Sequence, residues 1–166
     1  TTNSTGIKVF TFADDKNATK APAKLQVTNS YFEFTGPFAS AYRTDSIIIE
    51  NSALVQTLSD AQVKTSSTDG RKTNFFAGSP TNGIKIKNSY IEYCYRFNND
   101  AKVYLENSKL NFSAQPWNLT GGDNMISRYA SVNFDKDSEL VASSWYMPAH
   151  NDAKLVFAEG ARVSHA

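Results

Sequence analysis

One eight-residue line recurs along the chain and limits its folds more than any other feature. Leu25-Gln26-Val27-Thr28-Asn29-Ser30-Tyr31-Phe32 reads apolar-x-apolar-x-Asn-Ser-x-apolar. The same line recurs from Ile47 to Leu54, from Ile84 to Ile91 and from Val103 to Leu110. Two further segments, Val132 to Leu140 and Leu155 to Val163, carry one extra residue before Ser138 and Ala161, and they share that insertion. Internal repetition of this kind points to stacked units that bury a common core.

Within a unit the alternation has period two, the mark of a strand with one apolar face. Leu25, Val27, Phe32 and Phe34 face one side, and Gln26, Tyr31 and Glu33 the other. The same parity turns Ile84, Ile86, Ile91 and Tyr93 inward, and Lys85, Lys87, Tyr90 and Glu92 outward. Asn-Ser between the two half-lines reads as a bend: Asn tolerates the left-handed conformation, and a small residue fits a corner. Stacked in register, Asn29, Asn51, Asn88 and Asn107 would form an amide ladder. The Ser/Ala anchors at 30, 52, 89, 108, 138 and 161 are separated by 22, 37, 19, 30 and 23 residues. A hairpin sandwich would instead show turns every 8–12 residues. The expectation is an all-β right-handed parallel β-helix (β-solenoid) of about six coils with loop insertions. It forms one domain over 1–166, with 1–22 as an N-terminal cap or incomplete coil, in a segment of a longer protein.

Composition narrows the partners. Lys+Arg is 17 against Asp+Glu 16, a net charge of +1, without the basic excess that phosphate contacts require. Nucleic acid is therefore not an expected partner. No apolar run reaches 18 residues, so no membrane insertion is expected within this segment. The 15 Asn, 18 Ser and 14 Thr accompany 13% aromatics, which separates the chain from a disordered Ser/Thr-rich stalk. Four Asn-x-Ser/Thr matches, at Asn3, Asn17, Asn111 and Asn118, are close to the number these frequencies give by chance.

The lines ending in Asn-Ser, with Phe157-Ala158-Glu159-Gly160-Ala161, resemble the right-handed parallel β-helix, or pectate-lyase-like, superfamily. The closer resemblance is to the β-helical adhesive modules of bacterial cell-surface proteins. It spans about residues 23–166 and implies an extracellular, secreted or surface-anchored rod. Such a rod binds a polysaccharide, a host-surface glycan or a host protein, or serves as a structural spacer.

The resemblance also raises an enzymatic alternative, a polysaccharide lyase or hydrolase. Lyases of the fold hold calcium on several carboxylates, and glycoside hydrolysis needs two placed carboxyls. The outward column Thr28, Glu50, Lys87, Glu106 and Asp135 instead alternates in charge, with Lys87 as the centre of a solvated ion-pair ladder. Asp14-Asp15, Asn98-Asn99-Asp100, Asp123-Asn124 and Asn151-Asp152 are the conceivable calcium positions, but all sit in turn-like sequence. His150 and His165 form no pair, and Cys94, the lone cysteine, cannot staple the chain or build a zinc cluster. No cofactor, metal site or catalytic residue is assigned.

Binding is assigned to the segments between units, which also supply a third strand per coil. Trp117, Trp145, Tyr146, Phe38 and Tyr42 offer faces for stacking on sugar rings. Arg43, Arg96 and Arg128 offer guanidinium forks for carboxylates. Packing of the third side is the alternative role for the aromatics, and a pair with Asp45 for Arg43. The insertion from Thr57 to Asn82 is a second candidate, because long loops on rigid scaffolds often carry recognition.

Overall fold

The computed structural model describes residues 10–11, 23–34, 39–40, 44–57, 76–77, 80–92, 102–111, 130–142 and 152–165. These residues form fifteen strands and, among them, no helix. None is part of a helix long and apolar enough to cross a membrane.

Each repeated line contributes two strands, one to each of two six-stranded sheets. The first half-lines are β2 (Ala23–Thr28), β5 (Thr44–Glu50), β8 (Ile84–Lys87), β10 (Lys102–Glu106), β12 (Ser131–Phe134) and β14 (Lys154–Phe157), adjacent in that order. The second half-lines are β3 (Tyr31–Phe34), β6 (Ala53–Gln56), β9 (Tyr90–Glu92), β11 (Lys109–Asn111), β13 (Glu139–Ala142) and β15 (Arg162–His165), again in that order. Every pairing in both sheets is parallel. A third sheet of two-residue strands, β1 (Phe10–Thr11), β4 (Ala39–Ser40) and β7 (Phe76–Ala77), is parallel as well. β4 lies between β3 and β5, and β7 falls inside the insertion from 57 to 82.

Register turns the repeated apolar positions into columns. Leu25, Ile47, Ile84, Val103, Val132 and Leu155 are successive partners, as are Val27, Ile49, Ile86, Leu105, Phe134 and Phe157. On the second sheet the column is Phe32, Leu54, Ile91, Leu110, Leu140 and Val163. The middle members of all three columns are buried in one continuous core. In the first column the middle members Ile47, Ile84, Val103 and Val132 are all β-branched, a shape that fits a pleated, close-packed surface. In the sixth unit the columns reach the surface: Phe157 is 38% exposed and Val163 61%. Phe157 stacks its ring on Phe134 with centroids 4.7 Å apart.

The entry into β8 depends on a glycine. Gly83 closes a turn by donating its N–H to the Pro80 carbonyl, and it holds φ at +80°. A Cβ there would lie 2.7 Å from the Lys102 carbonyl oxygen of the neighbouring strand. The added carbon meets a backbone carbonyl, which cannot give way without disturbing the β8–β10 pairing. Gly83→Ala is therefore expected to lower the thermal midpoint clearly more than Lys85→Ala, a truncation on the exposed face of the same strand. Equal midpoints would show that the turn relaxes.

Candidate functional site

The Asn-Ser bends stack into an edge between the two large sheets, and the edge is built by two hydrogen-bonded rows. Asn29, Asn51, Asn88 and Asn107 all adopt left-handed φ between 44° and 50°. This conformation costs most L-residues ~1–2 kcal/mol, and Asn is among the few that visit it routinely. The Asn88 amide donates to Asn51 Oδ1 at 3.2 Å, and the Asn107 amide to Asn88 Oδ1 at 2.9 Å.

The second row belongs to the serines. The N–H of Ser30 donates to Ser52 Oγ, Ser52 to Ser89 Oγ, Ser89 to Ser108 Oγ and Ser108 to Ser138 Oγ, all at 3.0–3.1 Å. The hydroxyls of Ser30, Ser52, Ser89 and Ser108 donate to the carbonyl two residues earlier, at 2.7–2.8 Å. Ser52, Ser89, Ser108 and Ser138 are buried. Each hydroxyl thus satisfies a peptide N–H of the preceding unit, a group that would be costly to bury unpaired.

The extra residue of the fifth unit now has a structural meaning. Asp135 to Ser138 forms a turn in which the Ser138 N–H donates to the Asp135 carbonyl. The Ser138 N–H is satisfied within its own unit, so the sixth unit can place Ala161 where the others place serine. Asp135 Oδ1 meanwhile accepts from the Asn107 N–H, the Asp137 N–H and the Ser138 hydroxyl. It replaces the backbone carbonyl that receives the corresponding N–H of Asn29, Asn51 and Asn88. Desolvation raises the Asp135 pKa, but bonds from Ser138, Asn107 and Asp137, with Lys136 nearby, outweigh it and leave the net value lowered.

Beside this edge runs an open trough of about 860 Å³, within the range of small-molecule sites. One bank carries the four asparagines. The other is the residue after each serine or alanine anchor, in register across the second sheet: Tyr31, Ala53, Tyr90, Lys109, Glu139 and Arg162. Tyr31 is 65% exposed, and its hydroxyl donates to Glu33 Oε2 at 3.3 Å. Half-buried Tyr90 repeats the arrangement by donating to Glu92 Oε2, and it accepts from the Asn111 amide. Desolvation, then the neighbouring carboxylate, raises the pKa of both phenols, so they remain protonated donors near neutral pH. Farther along, Glu139 lies 3.5 Å from Lys109 and 3.9 Å from Arg162. The Ser164 hydroxyl, then Lys109 and Arg162, lower the Glu139 pKa against the opposing effect of desolvation.

The lateral candidates Phe38, Tyr42, Arg43, Arg96, Trp117, Arg128, Trp145 and Tyr146 lie outside the described residues, as do His150 and Cys94. His165 is exposed on β15. In the charge-alternating column of the first sheet, Lys87 pairs with Glu106 at 2.8 Å. No group of three or more His, Cys, Asp or Glu side chains among the described residues is placed to hold a metal ion. The aromatic bank was accessible from sequence: the x after Asn-Ser is Tyr, Ala, Tyr and Lys in the first four units. Its signal is weak because a single outward residue per unit has no pattern of its own. The serine relay had a stronger signal, the exchange of serine for Ala161 directly after the unit with the longer turn. Compared with protein-family models, curated proteins and solved structures, the chain matches none.

Two measurements check this construction. Ser89→Ala and Ser108→Ala each orphan a peptide N–H and are expected to lower unfolding free energy by about 1–3 kcal/mol, whereas Ser30→Ala, at the exposed end of the row, changes it little. Equal effects in chemical denaturation would contradict the relay. Asp135 has a folded-state pKa below its ordinary 3.8, so its contribution is present above that value and is lost as pH falls through the lower folded one. Asp135→Asn is expected to flatten the acid limb of stability against pH below about 4; an unchanged limb would show that Asp135 does not report on folding.

Proposed function

We propose that this chain is a non-catalytic glycan-binding or adhesive module of an extracellular bacterial surface protein, built as a right-handed parallel β-solenoid. Support for the architecture comes from the shared strand order of the two large sheets and the short parallel strands that follow β3 and β6 in sequence. Parallel strands joined by crossovers in one sheet are nearly always connected right-handedly. The extracellular and bacterial parts of the reading rest on the resemblance of the repeated Asn-Ser lines.

The observation that carries the binding reading is the trough. It combines exposed aromatic surface at Tyr31 with a bank of amides and phenols able to donate and accept. Sugars offer the complementary chemistry: C–H faces for aromatic stacking and hydroxyls for amide hydrogen bonds. Concave sites with a few convergent polar groups are the usual places for small ligands.

A glycan array probed with the wild-type chain, with Tyr31→Ala plus Tyr90→Ala, and with Trp117→Ala plus Trp145→Ala tests the reading. Binding to at least one glycan is expected, reduced tenfold or more by the tyrosine pair. Loss in the tryptophan pair alone would move the site to the lateral segments. An array with no bound glycan would refute glycan recognition.

A further inference from the structure

We infer that the ligand of the trough is an extended, uncharged, 1,4-β-linked polysaccharide, lying along the stack with every second sugar over a tyrosine. The inference rests on the glycan-binding reading and adds linkage, charge and orientation.

Spacing carries the first step. Tyr31 pairs with Ala53, and Ala53 with Tyr90, in adjacent parallel strands. The two tyrosines are therefore two strand spacings apart, roughly 10 Å, with a methyl group between them. In an extended 1,4-β-linked chain each sugar is flipped by half a turn relative to the last. The same face returns every second residue, at a distance close to two strand spacings. Chains of 1,3-β- or 1,4-α-linked glucose curve or coil and do not keep successive equivalent faces on a straight row, whereas 1,4-α-linked galacturonate is extended and differs by its charge.

Orientation carries the second step. Both phenols are tied to the carboxylate two residues ahead in their own strand, Tyr31 to Glu33 and Tyr90 to Glu92. The shared tie turns both side chains toward the same end of their strands, with Tyr31 the more exposed platform and half-buried Tyr90 held further by the Asn111 amide. Their hydrogen bonds hold them there before a ligand arrives, which lowers the ordering cost of binding. Ala53 leaves room for the flipped sugar between the two platforms.

Charge and hydrogen-bonding capacity complete the match. Lys109 and Arg162 stand against Asp137 and Glu139 in the trough lining, two cations against two anions. Glu139 is already engaged by both cations. A chain of uronates would find no net positive field here. On the opposite bank, the ladder uses one N–H and one lone pair of the Asn88 amide. A primary amide has two of each, so a second donor and a second acceptor remain to meet sugar hydroxyls.

The test is titration calorimetry with three hexasaccharides: 1,4-β-linked glucose, 1,3-β-linked glucose and 1,4-α-linked galacturonate. The first is expected to bind at least tenfold more tightly than either of the others. Tyr31→Ala and Tyr90→Ala should each weaken it about tenfold, while Tyr31→Phe and Tyr90→Phe retain most of the affinity because stacking survives. Circular dichroism of each variant separates lost binding from lost folding, and exposed Tyr31 provides the variant least coupled to stability. Equal or tighter binding of the 1,3-linked or acidic chain overturns the inference but leaves glycan binding intact. Tyrosine-independent binding of the 1,4-β-linked chain also overturns it. If none of the three binds, the inference fails, and the glycan array then decides whether the broader reading fails with it.

Discussion

A peptide N–H at the centre of each bend governs much of this structure. Where the chain passes from one sheet to the other at Asn-Ser, sheet pairing is interrupted and the serine N–H needs another acceptor. The next unit's serine supplies it, and its own hydroxyl proton returns to a carbonyl at its own bend. A shift of one residue between units would remove that acceptor and turn the apolar columns outward. The relay and the core therefore specify the same register by independent means. The hydrogen bonds fix it at one point per unit, and the Ile, Leu and Val columns extend it along both strands.

This dual specification explains why the strands were readable from sequence. Ile84-Lys85-Ile86-Lys87-Asn88-Ser89 states both the buried face and the place where it changes direction. Paired lines such as this locate the strands of the two large sheets. The interactions that join one unit to the next were harder to read, because the sequence of one unit does not reveal the needs of another. Ser89 was identifiable as a small corner residue, yet its hydroxyl serves Ser52, 37 positions earlier. Asp135 was visible as part of an insertion, but its role as a substitute carbonyl requires knowing where the Asn107 N–H lies. Tyr31 and Tyr90 read as outward residues, and only register places them in one row with Ala53 between.

The trough draws its form from the same rows. The left-handed asparagines needed for the bend put an amide on the surface in four successive units, and the bonds among Asn51, Asn88 and Asn107 restrict how three of those amides rotate. The position immediately after the serine faces outward beside them and is relieved of core packing, so it can vary among Tyr, Ala, Lys, Glu and Arg. A fixed polar bank thus faces a variable one. Stability constrains the first through backbone conformation, while the second is open to adjustment for a ligand at modest structural cost.

The turn from Asp135 to Ser138 separates two kinds of neighbour. Units ending in a bare Asn-Ser bend depend on the hydroxyl of whatever follows them and accept few successors. The fifth unit closes its serine N–H on itself and asks of its successor only matching apolar columns, a condition that Ala161 meets without a hydroxyl. It behaves as a permissive joint in an otherwise sequence-specific array. Recombination, whether during evolution or in the laboratory, would find its most tolerant splice point between the fifth and sixth units, after β13, where a foreign unit could be grafted without inheriting the serine code of the units before it.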